Sequence, residues 1–88
     1  MDDIYIILII NDRYVRWEIV NEEACFIDIE NMLKTKYKIE KCIIEMGEIL
    51  INIFLNDRVL DFCKKNKELT LRVTTKDKTY KLLFSDTT

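Results

Sequence analysis

The sequence contains no histidine and no proline, and Gly47 is its only glycine. Without histidine, the chain lacks the commonest general base and the commonest metal ligand of proteins. A lone glycine excludes the glycine-rich loops that bind phosphates. Flexible linkers and low-complexity stretches need glycine or proline as well. We therefore expect a single domain over residues 1–88 that binds no cofactor or metal and is not an enzyme.

Cysteine is scarce, and its spacing suggests neither a disulfide framework nor a metal site. Cys25, Cys42 and Cys63 are an odd number, lie far apart and form no C-x-x-C pair, whereas small secreted proteins carry an even, dense set. A nucleophilic thiol needs a base and an electropositive pocket, and Lys64 beside Cys63 is weak support for one. We expect three free, buried thiols in a reducing compartment.

No apolar run is long enough to span a membrane. The longest, Ile4–Ile10, falls far short of the roughly 20 residues of a membrane-spanning helix. Asp2 and Asp3 precede it, where a secretory signal would carry basic residues. With 49% hydrophobic and 34% charged residues, the composition is globular. We expect a cytoplasmic protein that does not bind membranes.

The net charge of −2 gives no strong field of either sign. Lysines cluster within residues 34–38, 64–67 and 76–81, and nearby tyrosines suggest a weak nucleic-acid surface. The net acidity argues against that function, because phosphate binding needs a concentrated basic face. Lysines that follow a helix also have an ordinary role at the negative end of its dipole.

The first part of the chain predicts a β-hairpin. Ile4–Ile10 is apolar at every position, which is typical of a strand at the centre of a sheet. Residues 14–20 alternate between apolar and polar, as a half-buried strand does. Asn11-Asp12 between them suits a tight turn, because both residue types tolerate positive φ angles.

The length of that turn decides which side chains enter the core. A two-residue turn would place Trp17 opposite Ile6, because directly opposed residues share a face of the sheet. Trp17 would then join the even-numbered residues of Ile4–Ile10 in the core. Tyr5, Ile7 and Ile9 would point outwards. A three-residue turn would invert this assignment.

A helix is predicted over residues 22–37. Asn21 is a suitable cap, and Glu22 and Glu23 favour the positive end of the helix dipole. Apolar residues recur at helical spacing: Phe26, Ile29, Met32 and Leu33.

Residues 41–46 and 49–55 predict a second hairpin, closed by Gly47-Glu48. We assign its wholly apolar face to the core: Cys42, Ile44, Met46, Ile49, Ile51 and Ile53. The opposite face carries Ile43, Leu50 and Phe54 among polar residues.

The rest of the chain predicts a short helix and two strands. Asn56-Asp57 is expected to cap the helix, whose apolar stripe includes Phe62, and Leu69–Val73 alternates as a strand does. Thr79–Phe84 is a last candidate strand. The order is ββα, ββα, ββ. Similar junctions at residues 20–23 and 55–58 leave open an alternative of two ββα units with a closing hairpin.

Several short segments resemble ubiquitin. Ile29-Glu30-Asn31-Met32 is similar to its Ile-Glu-Asn-Val stretch, and residues 43–47 are similar to its Leu-Ile-Phe-Ala-Gly. Residues 59–62 and 68–71 resemble its short 3₁₀ segment and final strand. The resemblance to the ubiquitin-like (β-grasp) family implies an α+β fold: a mixed sheet packed by one main helix and a short second helix. The core would span residues 3–74, with residues 75–88 as an extension that carries an extra strand.

The chain departs from this family in three ways. Conjugated and sulfur-carrying members end in Gly-Gly, whereas this chain ends in Ser85–Thr88, so neither activity is implied. Alternation places Ile44 in the core, whereas the matching residue of ubiquitin is exposed and binds partners. In the family the last strand lies between two others, so Thr79–Phe84 has no edge beside Leu69–Val73.

Apolar excess suggests how the protein works. If both hairpin registers hold, one outer face of the sheet carries Tyr5, Ile7, Ile9, Ile43, Leu50 and Phe54. An uncovered patch of this size marks a partner or dimer contact. We expect a non-enzymatic ubiquitin-like module, an adaptor or regulator, that binds another protein through these residues. A homodimeric structural domain and a small nucleic-acid-binding regulator are the alternatives. The competing interpretation is that Tyr80, Leu82 and Phe84 cover the face.

Overall fold

The computed structural model describes residues 3–77, so the predicted strand Thr79–Phe84 lies outside the described residues. None of the helices in this range is long and apolar enough to cross a lipid bilayer. The elements are β1 (Asp3–Ile10), β2 (Tyr14–Asn21), α1 (Phe26–Thr35), β3 (Ile43–Met46), β4 (Ile49–Leu50) and β5 (Glu68–Thr74). Two 3₁₀ segments, Ile51–Ile53 and Val59–Phe62, lie between β4 and β5.

The five strands form one mixed sheet in the order β2-β1-β5-β3-β4. β1 and β5 are parallel, and the other neighbouring strands are antiparallel. β5 therefore separates the two hairpins, and β2 and β4 are the sheet edges within residues 3–77. The architecture is α+β, with one main helix and a five-stranded mixed sheet.

The core lies between α1 and one face of the sheet. The four even-numbered residues of β1, Ile4, Ile6, Leu8 and Ile10, are completely buried, and this is the face of β1 that the hairpin analysis assigned to the core. The helix adds Phe26, Ile29 and Leu33, and β5 adds Leu69, Leu71 and Val73. Burying each such side chain contributes roughly 1.5–3 kcal/mol to folding, so this cluster supplies most of the driving force.

The first turn contains one more residue than the two-residue interpretation allows. Asn11 and Asp12 adopt positive φ angles of 52° and 56°, and the Arg13 N–H donates to the Ile10 carbonyl over 3.1 Å. Tyr14, and not Arg13, lies opposite Ile10. Arg13 is thus an extra residue, and such an insertion moves every following side chain to the other face. The prediction that Trp17 lies in the core is wrong.

Helix α1 starts later than predicted. Its N-cap is Cys25, whose backbone N–H donates to the Asp28 carboxylate over 2.9 Å. The Asn21 side chain instead accepts the Glu23 N–H within a turn. The prediction that Asn21 caps the helix is therefore wrong.

Main-chain carbonyls from the segment after β4 complete the helix start. The N–H of Phe26 donates to the Asp57 carbonyl (3.1 Å) and that of Ile27 to the Leu55 carbonyl (2.8 Å). The first amides of a helix have no partner within it, so this segment satisfies two of them. The following short helix is a 3₁₀ segment with Arg58 as its N-cap, not Asn56-Asp57.

Strand β4 ends early because the Asn52 side chain makes the hydrogen bonds to β3 that the backbone of a longer β4 would make. The turn at Gly47-Glu48 forms as predicted, with Met46 opposite Ile49. The Asn52 side-chain oxygen then accepts the Ile44 N–H (2.7 Å), and its NH₂ group donates to the Cys42 carbonyl (3.1 Å).

The early end of β4 makes the predicted strand over residues 49–55 wrong beyond Leu50. Ile44 and Ile51 are buried as predicted, and Cys42 and Met46 are half-buried against the core. Ile49 and Ile53 are exposed by 38% and 71%, so their assignment to the core is wrong.

Replacing Asn52 with alanine should lower the free energy of unfolding by about 2 kcal/mol, because the Ile44 N–H in the interior loses its partner. Chemical denaturation measures this change. Asn31→Ala, on the exposed side of α1, is the matched control, with an expected change within about 0.5 kcal/mol. Equal stability of the two variants would contradict the bridging role of Asn52.

Candidate functional site

The outer face of the β1–β2 hairpin is apolar at three consecutive cross-strand pairs. Tyr5 lies opposite Ile19, Ile7 opposite Trp17, and Ile9 opposite Val15. We call these six residues the hairpin patch. Trp17 and Ile19 are exposed by 60% and 59%, and Val15 and Tyr5 by 49% and 45%. Ile7 and Ile9 are half-buried between their neighbours.

A second, smaller apolar group lies on the same face at the other end of the sheet. Ile43 and Leu50 are exposed by 51% and 41%, and the register places both on the side away from the core. β5 lies between the two groups and presents only polar side chains outwards: Glu68, Thr70, Arg72 and Thr74. Two strand spacings, roughly 10 Å, separate β1 from β3.

Phe54 does not lie on this face. It follows the 3₁₀ segment after β4 and packs against the core, with its ring centroid 5.6 Å from that of Phe62. Phe62 in turn meets Phe26 of α1 edge to face at 5.1 Å. The predicted outward position of Phe54 is therefore wrong, because the chain leaves the sheet after Leu50.

The other five predicted site residues do lie on the outer face, but in two groups and not one. The prediction missed Val15, Trp17 and Ile19, the three most exposed apolar side chains of the hairpin patch. The signal that could have found them is the three-residue turn, an alternative that the sequence left undecided. Tyr80, Leu82 and Phe84 lie outside the described residues.

An ion pair marks one boundary of the hairpin patch. The Arg72 guanidinium donates to one Asp12 carboxylate oxygen from Nε at 3.2 Å and from Nη2 at 2.8 Å. Arg72 lies beside Ile9 on β1 and opposite Glu45 on β3. An exposed pair of this kind stabilises the fold little. Its effect is to place charge between the hairpin patch and the second apolar group.

The inner side of β2 is fixed to the end of α1 by Glu18. Its carboxylate accepts hydrogen bonds from the Lys36 ammonium at 2.8 and 3.0 Å and from the Tyr37 hydroxyl. Burial, followed by the hydrogen bond and the charge of Glu18, raises the pKa of Tyr37 well above its ordinary value, so the phenol stays neutral. These bonds hold β2 against the helix while its outer side chains remain exposed.

The cysteines are free, as predicted, but half-buried. Burial, assisted by Glu30 and Asp77, raises the pKa of Cys42 to about 11, and burial also raises the pKa of Cys63. Both thiols are therefore poor nucleophiles at neutral pH. Residues 3–77 contain no group of three or more Cys, Asp or Glu side chains placed to hold a metal ion.

Alkylation tests the state of Cys42. A pKa of about 11 instead of 9.0 lowers the thiolate fraction at pH 8 about 100-fold, and only the thiolate reacts. Iodoacetamide labelling, followed by mass spectrometry, should be slower by about that factor than in urea-unfolded chain, and should accelerate with rising pH. Equal labelling rates of Cys42 in the folded and unfolded chains at pH 8 would contradict the raised pKa.

Comparison with other proteins provides no relative for this geometry. No family model, no curated protein and no solved structure matches the chain. Its function is therefore inferred from its own residues and their arrangement.

Proposed function

We propose that this chain is a non-enzymatic, ubiquitin-like protein–protein interaction module, an adaptor or regulator, that binds another protein through the hairpin patch. The observation that carries this proposal is the distribution of exposed apolar side chains. Of the eight large hydrophobic residues exposed within residues 3–77, six lie on the outer face of the sheet, and four of these belong to the hairpin patch.

The strand order supports the β-grasp part of the proposal. The resemblance to ubiquitin implies that the last strand of the unit lies between two others, and β5 lies between β1 and β3. One main helix lies on the inner face, and a short 3₁₀ segment, Val59–Phe62, precedes β5. These elements occur in the chain order that the resemblance implies.

The chemistry of the hairpin patch favours a protein partner. Contiguous exposed apolar side chains lose contact with water on binding, at roughly 25 cal/mol per Å². Trp17 and Tyr5 are residue types that dominate the energy of protein interfaces. The patch holds an exposed tryptophan at the centre of the hairpin, where a partner can enclose it.

The same chemistry disfavours a nucleic-acid partner. The outward positions of β1 and β2 are Asp3, Asn21 and the hairpin patch itself, and none of them is a lysine or arginine. Nucleic acids are bound mainly through basic side chains that neutralise phosphates. Lys36 and Lys67 instead pair with Glu18 and Glu22.

Partner capture tests the proposal. Immobilised wild-type chain and its Trp17→Asp and Leu50→Asp variants are incubated with native-cell extract, and bound proteins are quantified by mass spectrometry. Trp17→Asp should lower recovery of the specific partner at least about 10-fold, because a charge replaces a central contact. Leu50→Asp shows whether the second apolar group shares that interface.

Ile53→Asp is the matched control. Ile53 is 71% exposed and belongs to the 3₁₀ segment that follows β4, at the opposite edge of the sheet from β2. It makes the same chemical change without touching the hairpin patch. Circular dichroism confirms that all variants fold. Equal recovery with Trp17→Asp and Ile53→Asp would reject the proposed site.

A further inference from the structure

Among residues 3–77, strand β2 lies at the edge of the sheet, and the directions of its backbone groups follow from its neighbours. The N–H of Tyr5 donates to the carbonyl of Lys67, just before β5, and the N–H of Asn11 donates to the carbonyl of Val73 in β5. The N–H and carbonyl groups of successive residues in a strand point to opposite sides, so the even-numbered residues of β1 direct theirs towards β2. The even residues of β2 receive those bonds.

The odd residues of β2 therefore direct their N–H and carbonyl groups away from β1. These residues are Val15, Trp17 and Ile19. β2 lies at an edge of the sheet, and no strand within residues 3–77 pairs with this side of it. Long open edges of this kind are templates for another strand.

We propose that a second copy of this chain occupies the open edge of β2, with the two β2 strands antiparallel and Trp17 of one copy opposite Trp17 of the other. In this register Val15 lies opposite Ile19 of the second copy. Val15, Trp17 and Ile19 all direct their backbone groups away from β1, so they form the hydrogen-bonded pairs of the antiparallel ladder between the two copies. The apolar side chains of the two copies meet on the outer face.

The charges of Arg16 and Glu18 favour this register over the two adjacent registers. With Trp17 on the two-fold axis, Arg16 of each copy faces Glu18 of the other, in a non-hydrogen-bonded pair where side chains are closest. Moving the axis to Arg16 places two guanidinium groups opposite each other, and moving it to Glu18 places two carboxylates opposite each other. Only the central register pairs opposite charges twice.

In the single chain, Arg16 contacts the edge at which the second copy would pair. Its Nη1 donates to the Val15 carbonyl over 2.9 Å, which is one of the acceptors on the open edge. When the second copy arrives, the Ile19 N–H takes over that carbonyl. Lys36 and Tyr37 already hold Glu18 in place for its contact with Arg16 of the other copy.

Self-association through this edge goes beyond the proposed function and does not rest on it. The pairing uses backbone groups, the charges on the inner side of β2 and lateral contacts of the Trp17 side chains, whereas partner binding uses the exposed surface of the outer face. Arg16→Glu weakens the pairing without changing the hairpin patch, so the two proposals are tested separately. Joined in this way, the two sheets would present their hairpin patches side by side on one continuous surface.

Charge exchange between variants tests the proposal. Sedimentation velocity is measured from about 10 μM to about 1 mM, where small interfaces dissociate. Arg16→Glu alone and Glu18→Arg alone should each raise the Kd of self-association about 10-fold, because like charges then face each other twice. An equimolar mixture of the two variants should associate as wild type does, since every facing pair is again opposite in charge.

Trp17, the only tryptophan, provides a second readout, because its emission should shift to shorter wavelength as the copies associate. If Glu18→Arg does not fold, Glu18→Gln replaces it, since the amide retains an acceptor for Lys36 and Tyr37, and its mixture with Arg16→Glu should associate more tightly than Arg16→Glu alone.

A monomer at every concentration would overturn the inference. So would a dimer for which the mixture shows no recovery, or an edge that binds a synthetic extended peptide without self-association. The proposed function would survive each of these results, because its own test is loss of partner capture by Trp17→Asp.

Discussion

Strand β1 is the structural centre of the molecule, because it pairs on both sides and buries every second side chain. Its antiparallel pairing with β2 is local, whereas its parallel pairing with β5 joins residues that are distant in the sequence. Asn11 extends the second pairing beyond the strand: its side chain accepts the Thr75 N–H (2.8 Å) and donates to the Thr75 carbonyl (3.0 Å). The remaining elements are arranged around this pair.

The features that follow from residue pattern alone were predictable. Alternating burial along β5, the turn at Gly47 and an amphipathic helix over Phe26–Leu33 are all local signals, and the structure contains them. The errors have another origin. Asn52 bonds to β3 and ends β4, and Cys25 caps α1 with help from Asp28. The end of β4 and the cap of α1 thus depend on specific side-chain hydrogen bonds, which take the place of regular strand pairing in β4 and of a standard side-chain cap in α1.

The candidate site shows the same division. Tyr5, Ile7 and Ile9 were placed outwards by a register that set Ile6 opposite Trp17. That register is wrong, but the three residues lie outside because the even-numbered residues of β1 form the core. Trp17 was misplaced because Arg13, one inserted residue, reverses the faces of β2, and period-2 alternation gives no warning of an insertion. The inversion also explains why the exposed apolar surface is larger than the sequence suggested: Trp17, assigned to the core, lies outside together with Val15 and Ile19 on the same face of β2.

The short β4 strand has a consequence for how assembly ends. Asn52 turns into the sheet and bonds to β3, so within residues 3–77 the edge beyond β3 offers only Ile49 and Leu50 as strand backbone. A sheet with one long open edge and one blunted edge can grow in a single direction only. Self-association at β2, as proposed, would therefore close on itself after two chains instead of continuing into an open-ended fibre.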